Sequence, residues 1–195
     1  NHTDVRKAVS SDFKDVGDKI YLLGETHQEL GASELAFMLR DESSGESGIG
    51  GKVPEINPER NLSMYRALTG AMTHGIVASA HDCSDGGLAS ALAECCFGSD
   101  SGATVNLSPI MSDCKKIDEW GALFGESLGR ILVSIKSSDC EAFESAMSDH
   151  ACYQIGKVEE GDTISISNSN DRVLSASMSE LRSAWKGTLD GGGPQ

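Results

Sequence analysis

Ala80-His81-Asp82-Cys83-Ser84-Asp85-Gly86-Gly87-Leu88 is the stretch that decides how this chain is read. From His81 to Gly87 it brings together an imidazole, two carboxylates, a hydroxyl and two adjacent glycines. The apolar run Gly75-Ile76-Val77-Ala78-Ser79 before it has strand character, and the alanine-rich run Leu88-Ala89-Ser90-Ala91-Leu92-Ala93-Glu94 after it has helix character. A strand that ends in Asp and Ser and turns through Gly-Gly into a helix can hold a phosphate with its magnesium. The helix start offers free N–H groups and a positive dipole end, and carboxylates bind the hard cation through oxygen. The same residues also suit a plain strand-to-helix connection in which Asp and Ser only cap the helix. His81 alone reads as a hydrogen-bonded structural histidine rather than a base.

Outward from this motif the chain alternates strands and helices, then collects strands. Toward the N-terminus, Lys19–Gly24 reads as a strand and Glu34–Leu39 as a helix behind Ser33. Residues 41–56 carry four glycines and Pro54 and read as a loop. Asn57-Pro58-Glu59 starts a helix, with a capping side chain, Pro at the first helical position and an acid in the first turn. Its apolar stripe is expected to be Leu62, Tyr65, Leu68 and Met72. Toward the C-terminus, Ala103–Leu107, Arg130–Ile135, Tyr153–Val158, Thr163–Ile166 and Val173–Ala176 read as strands. Ile117–Phe124, Asp139–Met147 and Ser179–Trp185 read as helices. This order predicts an α+β fold: a layered, mixed β-sheet with helices packed on its faces. Residues 1–17 are expected to be a linker or the edge of a missing upstream domain, 18–188 the domain itself, and 189–195 a flexible tail.

Composition narrows the function classes. The chain has 195 residues and a net charge of −14, which argues against a nucleic-acid partner, because phosphate backbones need clustered Lys and Arg. It does not oppose a nucleotide held through magnesium. No apolar stretch approaches the roughly 20 residues that span a bilayer, and no signal peptide is visible at the start. The six cysteines show no CxxC pair, and read as reduced, mostly buried thiols of a cytoplasmic protein. Cys83 lies close to His81, but a catalytic thiol is not expected there.

Two further segments hold chemistry-bearing residues. Leu123-Phe124-Gly125-Glu126-Ser127-Leu128-Gly129-Arg130 places Glu, Ser and Arg around two glycines. It suits either an anionic ligand, through the planar fork of Arg130, or a surface ion pair between Glu126 and Arg130. Gly24–Glu34 has the glycines and serine of an anion loop. Glu25, Glu29 and Glu34 would repel an anion, so the segment reads as a structural turn. Gly48-Ile49-Gly50-Gly51-Lys52 lacks the spacing and the following Ser/Thr of a Walker loop.

Taken together, the motifs resemble one family. Ala80–Ala89 with Leu92-Ala93-Glu94 is similar to the AHDxSDGGLA…LAE stretch of phosphoribosylformylglycinamidine synthase. Leu123–Ser127 with Arg130 resembles its LFGES…R segment, and Leu22–Thr26 with Glu29–Glu34 its LGET…ELGGSE segment. Ile155–Val158 and Leu181–Trp185 also fit in order, so the resemblance covers roughly residues 5–190. It points to the C-terminal domain of the second half of the synthetase subunit, with the fold of the C-terminal domain of aminoimidazole ribonucleotide synthetase. The family converts formylglycinamide ribonucleotide, ATP and glutamine-derived ammonia to formylglycinamidine ribonucleotide, ADP and phosphate in purine biosynthesis.

The resemblance implies Asp82 as a magnesium ligand and Ser84, Gly86, Gly87, Glu126, Ser127 and Arg130 as nucleotide- or substrate-binding residues. ATP or ADP would be shared with an upstream nucleotide-binding domain of the same polypeptide, and no catalytic residue is expected in this chain. The chain alone is therefore expected to be inactive. The ending near Trp185 resembles the small form of the family, which works with a separate glutaminase subunit and a small accessory subunit. Leu128 stands where a Gln often completes the GESQ segment, and Ala32 where ELGGSE has Gly. Leu128 cannot supply the hydrogen bonds of Gln, which favours an auxiliary over a catalytic site in this half. The same resemblance leaves open other ATP-dependent relatives: aminoimidazole ribonucleotide synthetase, selenophosphate synthetase and hydrogenase maturation protein E. It also leaves open a purely structural scaffold domain.

Overall fold

The computed structural model describes residues 5–39, 51–114 and 116–187. The expected tail, residues 1–4 of the expected linker and most of the 41–56 loop lie outside them. Strand β1 (Lys19–Leu23) sits mid-sheet, and four of its five residues in a row are buried. Alternation sends Ile20 and Leu22 to one face and Tyr21 and Leu23 to the other. Both faces of β1 are therefore covered, which is why its sequence is continuously apolar rather than alternating.

Around β1 the sheet has seven strands among the described residues. The others are β2 (Val77–Asp82), β3 (Gly102–Asn106), β4 (Ile131–Ile135), β5 (Cys152–Glu159), β6 (Thr163–Asn168) and β7 (Asp171–Ser177). Their order across the sheet is β2-β4-β1-β5-β3-β6-β7. Neighbours run antiparallel except β3 and β6, which are parallel. The mixed sheet expected from the sequence is present. A bulge in β5 leaves Ile155 without a partner on β1, since Ile20 pairs with Gly156 and Tyr21 with Gln154. The extra residue lets Ile155 and Val158 point into the same core.

Helices cover both faces. The larger core gathers α3 (Gly87–Phe97), α4 (Ser108–Asp113), α5 (Glu119–Phe124) and α7 (Met178–Gly187) over Leu22, Val105, Leu132 and Ile166. The smaller core gathers α2 (Pro58–Thr73) and α6 (Cys140–Ala146) over Tyr21, Leu23, Val133 and Ile135. The short helix α1 (Glu34–Met38) buries no residue. Asn57 caps α2 as expected, its side chain accepting the Arg60 N–H at 3.1 Å.

Two sequence expectations differ from the structure, and one helix is not foreseen in the sequence. Helix α2 faces the core with Met64, Leu68 and Ala71, while Leu62 and Tyr65 are exposed. Its apolar residues spread over more than one side, and the Tyr65–Leu68–Met72 stripe lines a cavity instead. Helix α4 does not stand out in the sequence, because its six residues hold one buried side chain, Ile110. Residues 10–17 are irregular yet fastened to the domain. Phe13 is buried and its N–H bonds Cys95 O at 2.9 Å, the Ala80 N–H bonds Ser10 O at 3.1 Å, and the Gly17 N–H bonds Val158 O at 2.9 Å.

Phe143 of α6 is fully buried edge-on against Tyr21, with ring centroids 5.2 Å apart. It locks α6 to the central strand. Phe143→Ala is expected to cost about 3–5 kcal/mol, to be measured by denaturant unfolding of the chain.

Candidate functional site

Strand β2 carries the opening motif to the surface. Asp82 is exposed at its end, and its Oδ2 accepts the Ser84 hydroxyl in a short hydrogen bond. That bond, with a smaller pull from His81, holds the Asp82 carboxyl below its ordinary value, against a smaller desolvation effect. His81 braces the motif against α3, with Nε2 2.6 Å from Glu94 Oε2 and Nδ1 3.8 Å from Asp82 Oδ1. Its contacts are those of a structural histidine. Cys83 is buried, and burial pushes its thiol up to about 11, so it carries no reactive thiolate.

The two glycines have a structural explanation of their own. Both adopt left-handed backbone, with φ +74° at Gly86 and +65° at Gly87. A Cβ on Gly87 would stand 2.5 Å from Gly125 O and 2.8 Å from Leu123 O. The end of α5 therefore packs directly on the turn, and only glycine leaves room for it.

The second motif meets the first at this contact. Glu126 Oε1 accepts the Gly86 N–H at 2.9 Å and the Glu34 N–H, at the start of α1, at 3.0 Å. The Glu126 N–H in turn bonds Glu29 O at 3.3 Å. Ser127 is buried and its Oγ accepts the His27 N–H at 3.1 Å. Arg130 is 1% exposed. Its guanidinium donates to Ala122 O at 3.3 Å and, at short range, to Gly125 O, gathering the last carbonyls of α5. The Arg130 carbonyl accepts the Cys83 N–H at 3.0 Å. The surface Glu126–Arg130 pair considered from the sequence is absent among the described residues, because Arg130 is drawn inside.

The residues singled out in the sequence thus converge on one junction, in two layers. Asp82 and Ser84 stand at the surface. Gly86, Gly87, Glu126, Ser127 and Arg130 knit the loops beneath. A cavity of about 620 Å³ opens over the junction between Asp82, Ser84, Asp85 and Glu126 on one side and Tyr65, Leu68 and Met72 of α2 on the other. A second, of about 540 Å³, lies across Leu128 and is walled by Glu25, His27, Glu29, Lys52 and Arg60. The 24–34 turn is thus a wall of this second cavity. Glu29 is fully buried beneath Lys52, whose Nζ lies 3.2 Å from Oε1 without hydrogen-bond geometry. The sequence around Glu29 gives no sign of that burial, since the segment carries three glutamates and reads as a surface turn.

The donor set suits a magnesium ion only in part. Among the described residues no group of three or more His, Cys, Asp or Glu could hold a metal by itself. Magnesium commonly takes one or two carboxylates and completes its shell with water and phosphate oxygens. The exposed, readily ionised Asp82 fits that role, and Ser84 keeps its carboxylate oriented.

Residues 15–167 match the family described as AIR synthase related protein, C-terminal domain. The chain belongs to this family. Solved structures show the same fold at low identity. Thermotoga maritima PurL complexed with FGAR matches with a TM-score of 0.78 at 18% identity, over 91% of this chain and 30% of that one. Phosphoribosylformylglycinamidine synthase II from the same organism matches at 0.74 and 19%, over 91% and 28%. The hydrogenase maturation protein HypE in complex with ATP matches at 0.60 and 16%, over 89% and 54%. The chain spans less than a third of the length of the Thermotoga maritima proteins.

The backbone bears on one departure noted in the sequence. Ala32, where ELGGSE has Gly, sits at φ +59°. An L-residue there is strained by about 1 kcal/mol or more, whereas glycine is not. Ala32→Gly is expected to raise stability by about 0.5–1 kcal/mol. Gly87→Ala, which forces a Cβ against two backbone carbonyls, is expected to lower it by about 2 kcal/mol or more. Urea unfolding of the two variants beside the parent chain checks both signs.

Proposed function

We propose that the chain is the C-terminal domain of the second half of a phosphoribosylformylglycinamidine synthase. That enzyme activates the amide oxygen of formylglycinamide ribonucleotide with ATP and lets ammonia displace the phosphate. One observation carries the reading. The three segments that resemble the family's signatures, 22–34, 80–88 and 123–130, are far apart in sequence yet meet around one carboxylate, that of Glu126. Of the two solved structures with the higher TM-scores above, one is named phosphoribosylformylglycinamidine synthase II and the other PurL complexed with FGAR. The runner-up is the C-terminal domain of another ATP-dependent relative, such as the hydrogenase maturation protein.

In this reading each surface group has a task. Asp82 offers a carboxylate to the magnesium of a bound nucleotide, which offsets phosphate charge when present. Ser84 keeps that carboxylate oriented and faces the nucleotide. The apolar wall of Tyr65, Leu68 and Met72 keeps water from the other side of the cavity. Gly86, Gly87, Glu126, Ser127 and Arg130 hold these groups in place. Leu128, half exposed between the two cavities, favours an auxiliary nucleotide site. The remaining nucleotide-binding groups come from an upstream domain of the same polypeptide, and ammonia from a glutaminase subunit assisted by a small accessory subunit. The chain by itself then performs no amidine synthesis.

Titration calorimetry of ADP with magnesium on the whole synthetase subunit tests the assignment. Asp82→Ala is expected to weaken nucleotide binding by at least the roughly 10–100-fold that even outer partners of a metal contribute. Equal affinity in the two proteins would remove Asp82 from the site.

A further inference from the structure

The sequence suggests that the Asp85-Gly86-Gly87 turn, at a helix start, receives a ligand's phosphate. The structure shows an anion already there, and it belongs to the chain. The Gly86 N–H and the Glu34 N–H come from separate segments and converge on a single oxygen, Glu126 Oε1, at 2.9 and 3.0 Å. Convergent backbone N–H groups on one oxygen are the geometry of an anion seat. The eleven-residue α3 adds the positive end of its dipole.

A second feature makes the seat electropositive without the helix. The Arg130 guanidinium lies beneath it, almost wholly buried, with Nε unpartnered. Its hydrogen bonds go to the carbonyls of Ala122 and Gly125. Among the described residues no carboxylate is within ion-pair distance of it. Burial draws this guanidinium below its ordinary value, and the nearby Cys83, Glu29 and Glu126 act in the opposite sense. A buried cation of this kind needs a negative charge close by. Lys52 accompanies Glu29, which leaves Glu126 as the nearby carboxylate that has no basic partner.

We propose that Glu126 is a specificity-determining residue: its carboxylate fills the anion seat at the start of α3 and keeps a free phosphate off the turn. A phosphorylated ligand in the 620 Å³ cavity then meets Asp82, Asp85 and Glu126, three carboxylates, and no free seat amide. Such a site refuses a bare phosphate by repulsion and takes one whose charge is offset by a divalent cation. The seat is a property of this chain alone and holds whichever reaction the domain serves.

Inorganic phosphate, without metal, is the probe, and the amide resonances of Gly86 and Glu34 in the full ¹⁵N-labelled chain are the readout. In the parent protein neither amide should move in a saturable way. Glu126→Ala opens the seat above Arg130. Both amides should then shift together and saturably, with affinity for phosphate about tenfold or more above the parent, as for one charge-assisted hydrogen bond. If the Ala variant fails to fold, Glu126→Ser, which also vacates the seat but keeps a hydroxyl at the position, takes its place and should show the same saturable shifts. Glu126→Gln retains an oxygen for both N–H groups and should gain nothing. Saturable shifts of both amides in the parent protein would overturn the proposal. So would a vacated seat that binds phosphate no better than the parent. Neither result bears on the Asp82 titration, which reads nucleotide with magnesium.

Discussion

Two helix starts that are remote in sequence share one acceptor, the Glu126 carboxylate, and the organisation of the site follows from that sharing. A helix start needs its N–H groups satisfied, and a buried one needs them satisfied by protein. Here one side chain does so for the turn before α3 and for the first residue of α1. Arg130 does the complementary task at the C-terminal end of α5, where carbonyls lack helical partners. Between the two, the 122–130 segment is clamped at both polarities. Gly87 must then be glycine, because the clamped segment lies against it. Asp82 and Ser84 inherit their position from this arrangement. They are presented on a surface whose underside is hydrogen-bonded into place.

The strands and longer helices were legible because their signals are local. Lys19–Leu23 is apolar without interruption, Asn57-Pro58-Glu59 caps α2, and Gly125 follows the end of α5. The site was legible as a set of residues, since Asp82, Ser84, Gly86, Gly87, Glu126, Ser127 and Arg130 do gather at one place. Their division of labour was not. Nothing near Arg130 in sequence says that it turns inward to the carbonyls of α5, and nothing near Glu126 says that its oxygen faces Gly86 rather than solvent. Those outcomes depend on which loops the sheet order brings together. The same reason explains Phe13, whose polar neighbours suggested a linker while its ring enters the core beside Cys95. It also explains α2, whose expected core stripe supplies Tyr65, Leu68 and Met72 to the wall of a cavity.

Helices on both faces make the domain a three-layer structure with two unequal cores, joined through the strands that contribute to both. The site sits at one end of this sandwich, where β2 passes into α3 and α5 passes toward β4. Its residues come from the loops at that end and, across the cavity, from α2 of the smaller core. Sheet packing and loop clamping are thus coupled: displacing α5 from the sheet would also withdraw the carbonyls and the carboxylate that define the turn.

The position of β1 has a further consequence, for the order in which the domain can assemble. Its two sheet neighbours are β4 and β5, so Lys19 must wait for Ile135 and Lys157 before its backbone is paired. Contacts so distant along the chain carry a large loop-closure entropy and slow folding. During synthesis, the apolar run Ile20–Leu23 leaves the ribosome long before either partner strand exists. For that interval a strand buried on both faces in the finished protein is an exposed hydrophobic segment with two open edges. The growing chain is then most exposed to misassociation, and most dependent on being shielded until residue 159 has emerged.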